Sequence, residues 1–251
     1  APALRAMAAR FAGEFLQGET ERILKAVDHA TEGVRRIADG RSGLVRVGLT
    51  GTAAFSHLPV LARAVQAELP DVALQIEADM LTPAQCDGLR SEAIDVGVLR
   101  PPAVGEGIEI RTVEHEPLVL VVSVDHRLAQ EPVVAMADLR SEPFVMYGNR
   151  DSAVNEAVLR SCRAAGFAPG RAHDAPGTAV LLALVTAGLG VAVVPASVRA
   201  LPLRGLVIRD LADGGTVDLA LARRAGDDNP VIDAVLKVAE AAFAAAALNR
   251  S

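Results

Sequence analysis

The chain has 251 residues, of which 51% are hydrophobic, so it can bury a core in one large or two modest domains. Its 25 basic and 31 acidic residues give a formal charge of −6, a balance that gives no electrostatic footprint for nucleic acid, whose phosphates are contacted by clustered Lys and Arg. No apolar run reaches the roughly 18 residues that cross a bilayer, so we expect a soluble protein with no membrane partner.

The two cysteines, Cys86 and Cys162, stand inside helical patterns. They permit one disulfide, but two thiols in a chain of this length are more often buried and reduced, and we expect them to be reduced here. The chain opens without a charged, apolar and small-residue leader, which favours the cytoplasm, although a mature secreted protein would lack its leader as well.

Residues 12–38 repeat apolar positions at alternating steps of four and three, the spacing of a helix with one narrow seam. The seam comprises Leu16, Thr20, Ile23, Val27, Ala30, Val34 and Ile37. An isolated helix is marginal in water, so this seam needs a surface to cover it. We predict pairing between subunits, with packing on the chain's own domain as the alternative, and we assign residues 1–43 to a linker and dimerisation helix.

The next part of the chain alternates strand and helix patterns twice. Strands are predicted at 44–49, 72–76 and 94–99, with helices at 54–68 and from Thr82 onward, and a similar order recurs further along. There the strands are predicted at 108–113, 118–124, 144–147, near 172, at 191–194, 206–208 and 217–221, with helices from 154, at 179–187 and at 230–248. Two similar α/β halves joined by long strands predict two hinged lobes, residues 44–123 plus 224–251 and residues 124–223, with a ligand cleft between them.

Three threonines stand at predicted helix starts, where free backbone N–H groups favour anions. They are Thr52, Thr82 and Thr178. Thr82, Pro83 and Gln85 also fit a capping box, so ordinary helix capping is the alternative to a ligand role there.

Several segments, in order along the chain, resemble the effector-binding region of LysR-type transcriptional regulators. They are 42–48 (SGLVRVG), 58–61 (LPVL), 95–100 (DVGVLR), 116–118 (EPL), 125–129 (DHRLA), 142–144 (EPF), 165–167 (AGF) and 184–197 (LVTAGLGVAVVPAS). The resemblance implies an α/β fold of two Rossmann-like lobes joined by two crossover strands, as in type II periplasmic binding proteins, preceded by a linker helix.

The resemblance also implies which residues contact an effector. Mapped position by position, they are Gly51, Thr52, Leu81, Thr82, Arg100, Asn149, Val154, Asn155, Gly177, Thr178 and Pro195. Arg100 suits a ligand carboxylate, with an ion pair between the lobes as the alternative. A single Tyr and no Trp leave little aromatic stacking, so we expect a small, anionic effector.

The resemblance further implies a cytoplasmic homo-oligomer, dimer or tetramer, that reaches promoter DNA and RNA polymerase only through the intact protein. The segment before residue 12 is too short for the family's DNA-binding domain, so we expect either a truncated chain or one without that function. A solute-binding protein of a transporter is the alternative function.

Metal, cofactor and catalytic motifs are not found in the sequence, so we predict no cofactor and no enzyme. The histidines show no metal-ligand spacing. They are His29, His57, His115, His126 and His173. His57 lies close enough to Thr52 to contact a ligand, with a solvated role as the alternative.

Overall fold

The structure is a computed structural model that describes residues 16, 20, 22, 24–27, 31, 43–103, 105–149, 151–202 and 204–248. These residues belong to two compact units. The first holds the residues up to Leu44 together with Asp71–Ala73, and the second holds Val45–Pro70 and the chain from Leu74 onward.

In the first unit, the described residues between Leu16 and Thr31 are helical. The hydroxyl of Thr20 donates to the Leu16 carbonyl at 2.7 Å and that of Thr31 to the Val27 carbonyl at 2.8 Å, both four residues back as in a helix. The side chains of Leu16 and Val27 are exposed. The other predicted apolar seam residues, Ile23, Ala30, Val34 and Ile37, lie outside the described residues.

From Leu44 onward the chain alternates strands with helices, as the sequence predicts. Its strands are β1 (Leu44–Leu49), β2 (Ala73–Glu77), β3 (Val96–Leu99), β4 (Ile108–Ser123), β5 (Val133–Val134), β6 (Pro143–Tyr147), β7 (Gly170–Ala175), β8 (Ala192–Pro195), β9 (Leu206–Leu211) and β10 (Thr216–Arg224). Its α-helices are α1 (Ala53–Ser56), α2 (Leu58–Glu68), α3 (Thr82–Arg90), α4 (Ala153–Ala164), α5 (Thr178–Thr186) and α6 (Pro230–Leu248).

The strands form a mixed sheet in the order β2-β1-β3-β10-β4-β9-β5, with β8 also paired to β4. Strands β6 and β7 pair in parallel, and β6 is bridged to the chain just before β8 at Val191. We call the part built on β1, β2, β3, β10 and the first half of β4 lobe I, and the part built on the second half of β4 with β5 to β9 lobe II. The mixed α/β fold predicted from the sequence is confirmed, and the residue boundaries predicted for the lobes stay a prediction.

Strand β4 connects the lobes. Up to Pro117 it pairs antiparallel with β10, and from Leu118 onward it pairs with β8 and β9. The prediction of two separate strands at 108–113 and 118–124 is therefore wrong. Proline lacks a backbone N–H but its fixed φ suits extended backbone. Pro117 therefore lies at the point where β4 changes its paired strands, and it does not end β4.

The helix predicted at 54–68 is broken at His57 into α1 and α2. Pro59 is the reason, because it has no N–H for a helical bond to Phe55 and its ring would clash with that residue's carbonyl. His57 is buried by the break: its Nε2 lies 2.7 Å from a Glu114 carboxylate oxygen and its ring packs edge-on to Phe243, 4.9 Å between centroids. It is neither solvated nor at the cavity described below.

Each lobe has its own apolar core. Lobe I buries α3 against the sheet through Cys86, Leu89, Ile94 and Leu99. In lobe II, successive side chains of β4 point to opposite faces of the sheet and pack into two apolar clusters. One cluster contains Leu120 and Phe144, and the other contains Val121 and Leu181. Cys86 and Cys162 are both buried and neither is in a disulfide, and burial raises the pKa of Cys162 to about 11. No described helix is long and apolar enough to span a membrane.

A candidate effector site between the lobes

A cavity of about 530 Å³ lies between the two lobes, a size typical of sites for small molecules. Lobe I lines it with Thr50, Gly51, Thr52, Asp79, Leu81 and Arg100. Lobe II lines it with Tyr147, Gly148, Asn149, Ser152, Val154, Asp174, Ala175, Pro176, Gly177 and Thr178.

These residues meet because they follow the carboxyl ends of strands. β1 is parallel to β3, and β6 is parallel to β7, so the strand ends of each pair point to one edge. Ligands of open α/β sheets bind outside that edge, where the following helices begin. The starts of α3, α4 and α5 all lie at this cavity, at Leu81, Ser152 and Gly177.

On the lobe I side, Thr52 is held by Arg100. Its hydroxyl accepts a hydrogen bond from Arg100 Nη2 at 3.1 Å, which leaves the hydroxyl hydrogen free to donate to another group. The same Nη2 donates to a carboxylate oxygen of Glu116, and Arg100 Nη1 donates to the Asp218 carbonyl at 3.3 Å. Glu116 also accepts from the backbone N–H of Ser197 in lobe II at 3.2 Å. A chain of contacts thus links the cavity to the strand that joins the lobes.

On the lobe II side, the hydroxyls of Thr178 and Tyr147 lie 3.0 Å apart. One of them donates to the other, so the second keeps its hydrogen for a ligand. Burial raises the pKa of the Tyr147 phenol above its ordinary value, against the opposite influences of Thr178 and Arg100. Tyr147 is therefore a neutral hydrogen-bond donor near neutral pH.

Most of the residues named from the sequence line the cavity. They are Gly51, Thr52, Leu81, Arg100, Asn149, Val154, Gly177 and Thr178. The other three residues named from the sequence do not line it. Thr82 is buried and donates to the Arg100 carbonyl at 2.6 Å, Asn155 binds the backbone of Tyr147 through both side-chain atoms, and Pro195 ends a strand paired to β4.

The predicted capping box at Thr82 is wrong. Leu81 is the N-cap of α3 and makes no side-chain cap, because Thr82 already lies in the helix with its hydroxyl turned to Arg100. The Gln85 amide donates to the carbonyls of Met80 and Val98, at 3.0 and 3.1 Å, and so ties the helix to the neighbouring strand.

The sequence interpretation missed Tyr147 and Asp79. Tyr147 is the last residue of β6, and Asp79 follows β2 by two residues. The signal available was their place at a strand's carboxyl end, the same signal that indicated Thr52 and Arg100. Asp79 adopts φ of +57°, a left-handed conformation that aspartate tolerates better than most residues.

The charges around the cavity are mixed. Among the described residues that line it, Arg100 is the one cationic side chain, and its charge is balanced by buried Glu116. Asp174 forms an ion pair with Arg171. Asp79 forms no ion pair with any described residue, although its side chain lines the cavity. No described group of three or more histidine, cysteine or acidic residues is placed to hold a metal ion.

The fold and the cavity define a two-lobed α/β domain with a cavity of small-molecule size between its lobes. Residues 38–244 match the family model of the LysR substrate binding domain, and the chain belongs to this family. The expected type II periplasmic-binding-protein-like architecture is confirmed by solved structures.

Relatives and solved structures agree with the family. The chain is 31% identical over 194 residues, 76% of its length, to the uncharacterized HTH-type transcriptional regulator YnfL of Escherichia coli, and 28% identical over 191 residues to AlsR of Bacillus subtilis. It spans 65% and 63% of those relatives. The LysR family regulator CbnR superimposes with a TM-score of 0.81 at 26% identity, over 92% of this chain and 81% of that one. The BenM effector binding domain, solved with its effector benzoate, gives 0.69 at 23% identity over 81% and 93%, and shows the fold alone.

Proposed function

We propose that this chain is the effector-binding domain of a LysR-type transcriptional regulator, in which a small polar molecule bound between the lobes controls promoter binding by the intact protein. One observation carries the proposal: in a chain of the LysR substrate-binding family, residues at the strand ends of both lobes line one cavity. The named relatives are transcriptional regulators and not enzymes.

Binding is converted to a signal through the hinge. A ligand that contacts Thr52 in lobe I and Thr178 in lobe II favours the arrangement in which both contacts exist, by its extra affinity for that arrangement. Arg100 and Glu116 carry a change at Thr52 to strand β4 and to the Ser197 backbone. The hinge is therefore coupled to the occupancy of the cavity.

The remaining parts of the proposal concern the intact protein. It forms a dimer or tetramer in the cytoplasm, and promoter DNA and RNA polymerase are contacted through segments other than this acidic domain. The exposed Leu16 and Val27 on one helical segment support self-association there, since apolar seam residues of this kind need a partner surface.

The alternative of a transporter solute-binding protein is disfavoured because the matched relatives are HTH-type transcriptional regulators. An enzyme would need an acid, base or nucleophile in the cavity with a pKa suited to its task. The raised pKa of Tyr147 opposes such a role for that residue near neutral pH.

The test is a thermal-shift screen of small acids, amino acids, amines and polyols, followed by calorimetry on the best binder. Thr178→Val should weaken that binder by about tenfold or more, since a hydrogen bond to a charged group contributes about 1.5–3 kcal/mol. Thr186→Val is the matched control, because Thr186 lies at the far end of the same helix and among the described residues its hydroxyl donates to the Leu182 carbonyl alone. Equal affinity in wild type and Thr178→Val would place the ligand elsewhere and contradict the proposal.

A further inference from the structure

The charge pattern of the cavity distinguishes between effector classes. A ligand that is only an anion gains little from Arg100, the cation that the described part of the cavity offers, because the charge of Arg100 is already balanced by Glu116 at close contact. A carboxylate added beside it would also lie near Asp79, a solvent-exposed carboxylate that forms no ion pair with any described residue. Like charges at short range disfavour binding.

Asp79 is placed to receive a cation. Its Oδ1 lies 3.0 Å from the position that a Cβ on Gly51 would occupy, and 4.0 Å from the corresponding position on Gly177. The carboxylate thus stands between the turn after β1 in lobe I and the start of α5 in lobe II. Because both flanking residues are glycines, no side chain of theirs covers it. An ammonium group entering the cavity can therefore reach the carboxylate.

A subsite that can bind an anion lies directly beside this carboxylate. Helix α5 begins after Gly177 and has no side-chain cap, so its first N–H groups lack that partner. The hydroxyls of Thr178 and Tyr147 stand at the same place, with one donor hydrogen unused between them. The cavity therefore offers an anion subsite and a cation subsite on neighbouring residues.

We infer that the effector is a zwitterion of the α-amino acid class, with its ammonium group on Asp79 and its carboxylate at the start of α5 beside Thr178 and Tyr147. An α-amino acid carries its ammonium and carboxylate groups on the same carbon atom, which matches subsites that are adjacent. Its side chain extends toward the remaining lining residues, among them Leu81 and Val154. The inference rests on the proposed function and specifies the chemistry of the same site.

The test compares each standard L-amino acid with two analogues, the acid that lacks the amino group and the amine that lacks the carboxylate. Thermal shift at millimolar concentration selects the binder, and calorimetry measures its affinity. We expect at least one amino acid to bind, and both of its analogues to bind about tenfold or more weakly. If the acids without an amino group bind as tightly, or if no amino acid binds, the inference is wrong.

Variants locate the ammonium group. Asp79→Asn removes the charge while keeping a residue that tolerates a positive φ, and should weaken the amino acid about tenfold or more without weakening the acid that lacks the amino group. Asp228→Asn is the control, since that carboxylate is exposed and forms no ion pair with any described residue, as for Asp79, but does not line the cavity, and should leave both affinities within about threefold. An unchanged affinity in Asp79→Asn would overturn the inference.

The two proposals fail separately. If a carboxylic acid without an amino group binds and depends on Thr178, the effector-binding function stands and the amino-acid inference falls. If no compound of the wider screen depends on Thr178, the proposed function itself is contradicted.

Discussion

Arg100 and Glu116 form an ion pair that is sealed inside the protein, with each side chain 2% exposed. Arg100 follows β3, whereas Glu116 lies in β4 directly before Pro117, where that strand leaves the sheet of lobe I. The pair therefore joins the wall of the cavity to the connection between the lobes. Because Thr52 bonds the same guanidinium, a contact made to Thr52 reaches the connection through one intervening side chain.

Glu116→Gln should destabilise the domain strongly. The change keeps the shape of the side chain but leaves the Arg100 charge buried without a counter-charge, which costs about 3–5 kcal/mol. Urea denaturation measures the loss. Asp210→Asn is the control, since the Arg199–Asp210 pair is solvent-exposed and should be worth no more than about 1 kcal/mol. Similar losses in the two variants would show that the buried pair does not stabilise the domain.

Tyr147 should titrate above its ordinary pKa of 10.0, because burial opposes the charged phenolate. It is the one tyrosine of the sequence, so tyrosinate absorbance reports it alone. Because the pKa of Tyr147 is higher in the folded state than in the unfolded state, the unfolded chain loses this proton at a lower pH. The free energy of unfolding is therefore unaffected by this group below pH 10 and decreases as the pH rises above 10. Tyr147→Phe should remove that part of the decline. A folded-state midpoint at or below the ordinary value would contradict the burial argument.

Gly51→Ala should impair ligand binding more than Gly177→Ala. A Cβ on Gly51 would stand 2.8 Å from Thr178 Oγ1, too close to be accommodated without moving that buried side chain or separating the lobes. On Gly177 the nearest atoms, those of Asp79, are 4.0 Å away. Gly177 has an extended backbone that any residue adopts. We expect a loss of about tenfold or more in affinity for Gly51→Ala alone, measured by calorimetry, and equal losses would refute the close approach of Gly51 and Thr178.

Val27→Glu should reduce self-association. Val27 is an exposed apolar residue of the predicted helix seam, and a carboxylate there would be buried against a partner at a cost of several kcal/mol. Sedimentation should show smaller particles in which the second unit stays folded. Lys25→Glu, also exposed but off the seam, is the matched control and should keep the wild-type mass. An unchanged mass for Val27→Glu would leave the seam without a role in assembly.

Local patterns in the sequence predict much of the fold. The strand Leu44–Leu49 and the helix Pro230–Leu248 have the predicted bounds, because an apolar run before glycines and an alanine-rich amphipathic run are properties of neighbouring residues. The sequence does not predict that β4 is continuous. Proline usually interrupts a strand because it cannot donate a hydrogen bond to the neighbouring strand. Pro117 instead lies at a change of partners, which depends on strands far away in the chain.

The site was predicted from strand ends and from the family resemblance, and its missing parts are long-range as well. Arg100 was expected at the cleft, but the sequence left open whether it pairs with a ligand or within the protein. The structure places Arg100 in close contact with Glu116, and a ligand role for Arg100 stays a prediction. The bond between Tyr147 and Thr178 depends on the parallel pairing of β6 with β7, which no local pattern encodes.

A crystal structure of the chain with the best binder from the screen would show where the ligand binds. We expect electron density for the ligand in the cavity between the lobes, in contact with the Thr178 hydroxyl and with at least one lobe I residue among Thr52 and Asp79. Ligand density at any other place on the protein, with this cavity holding only solvent, would show that the cavity is not the effector site.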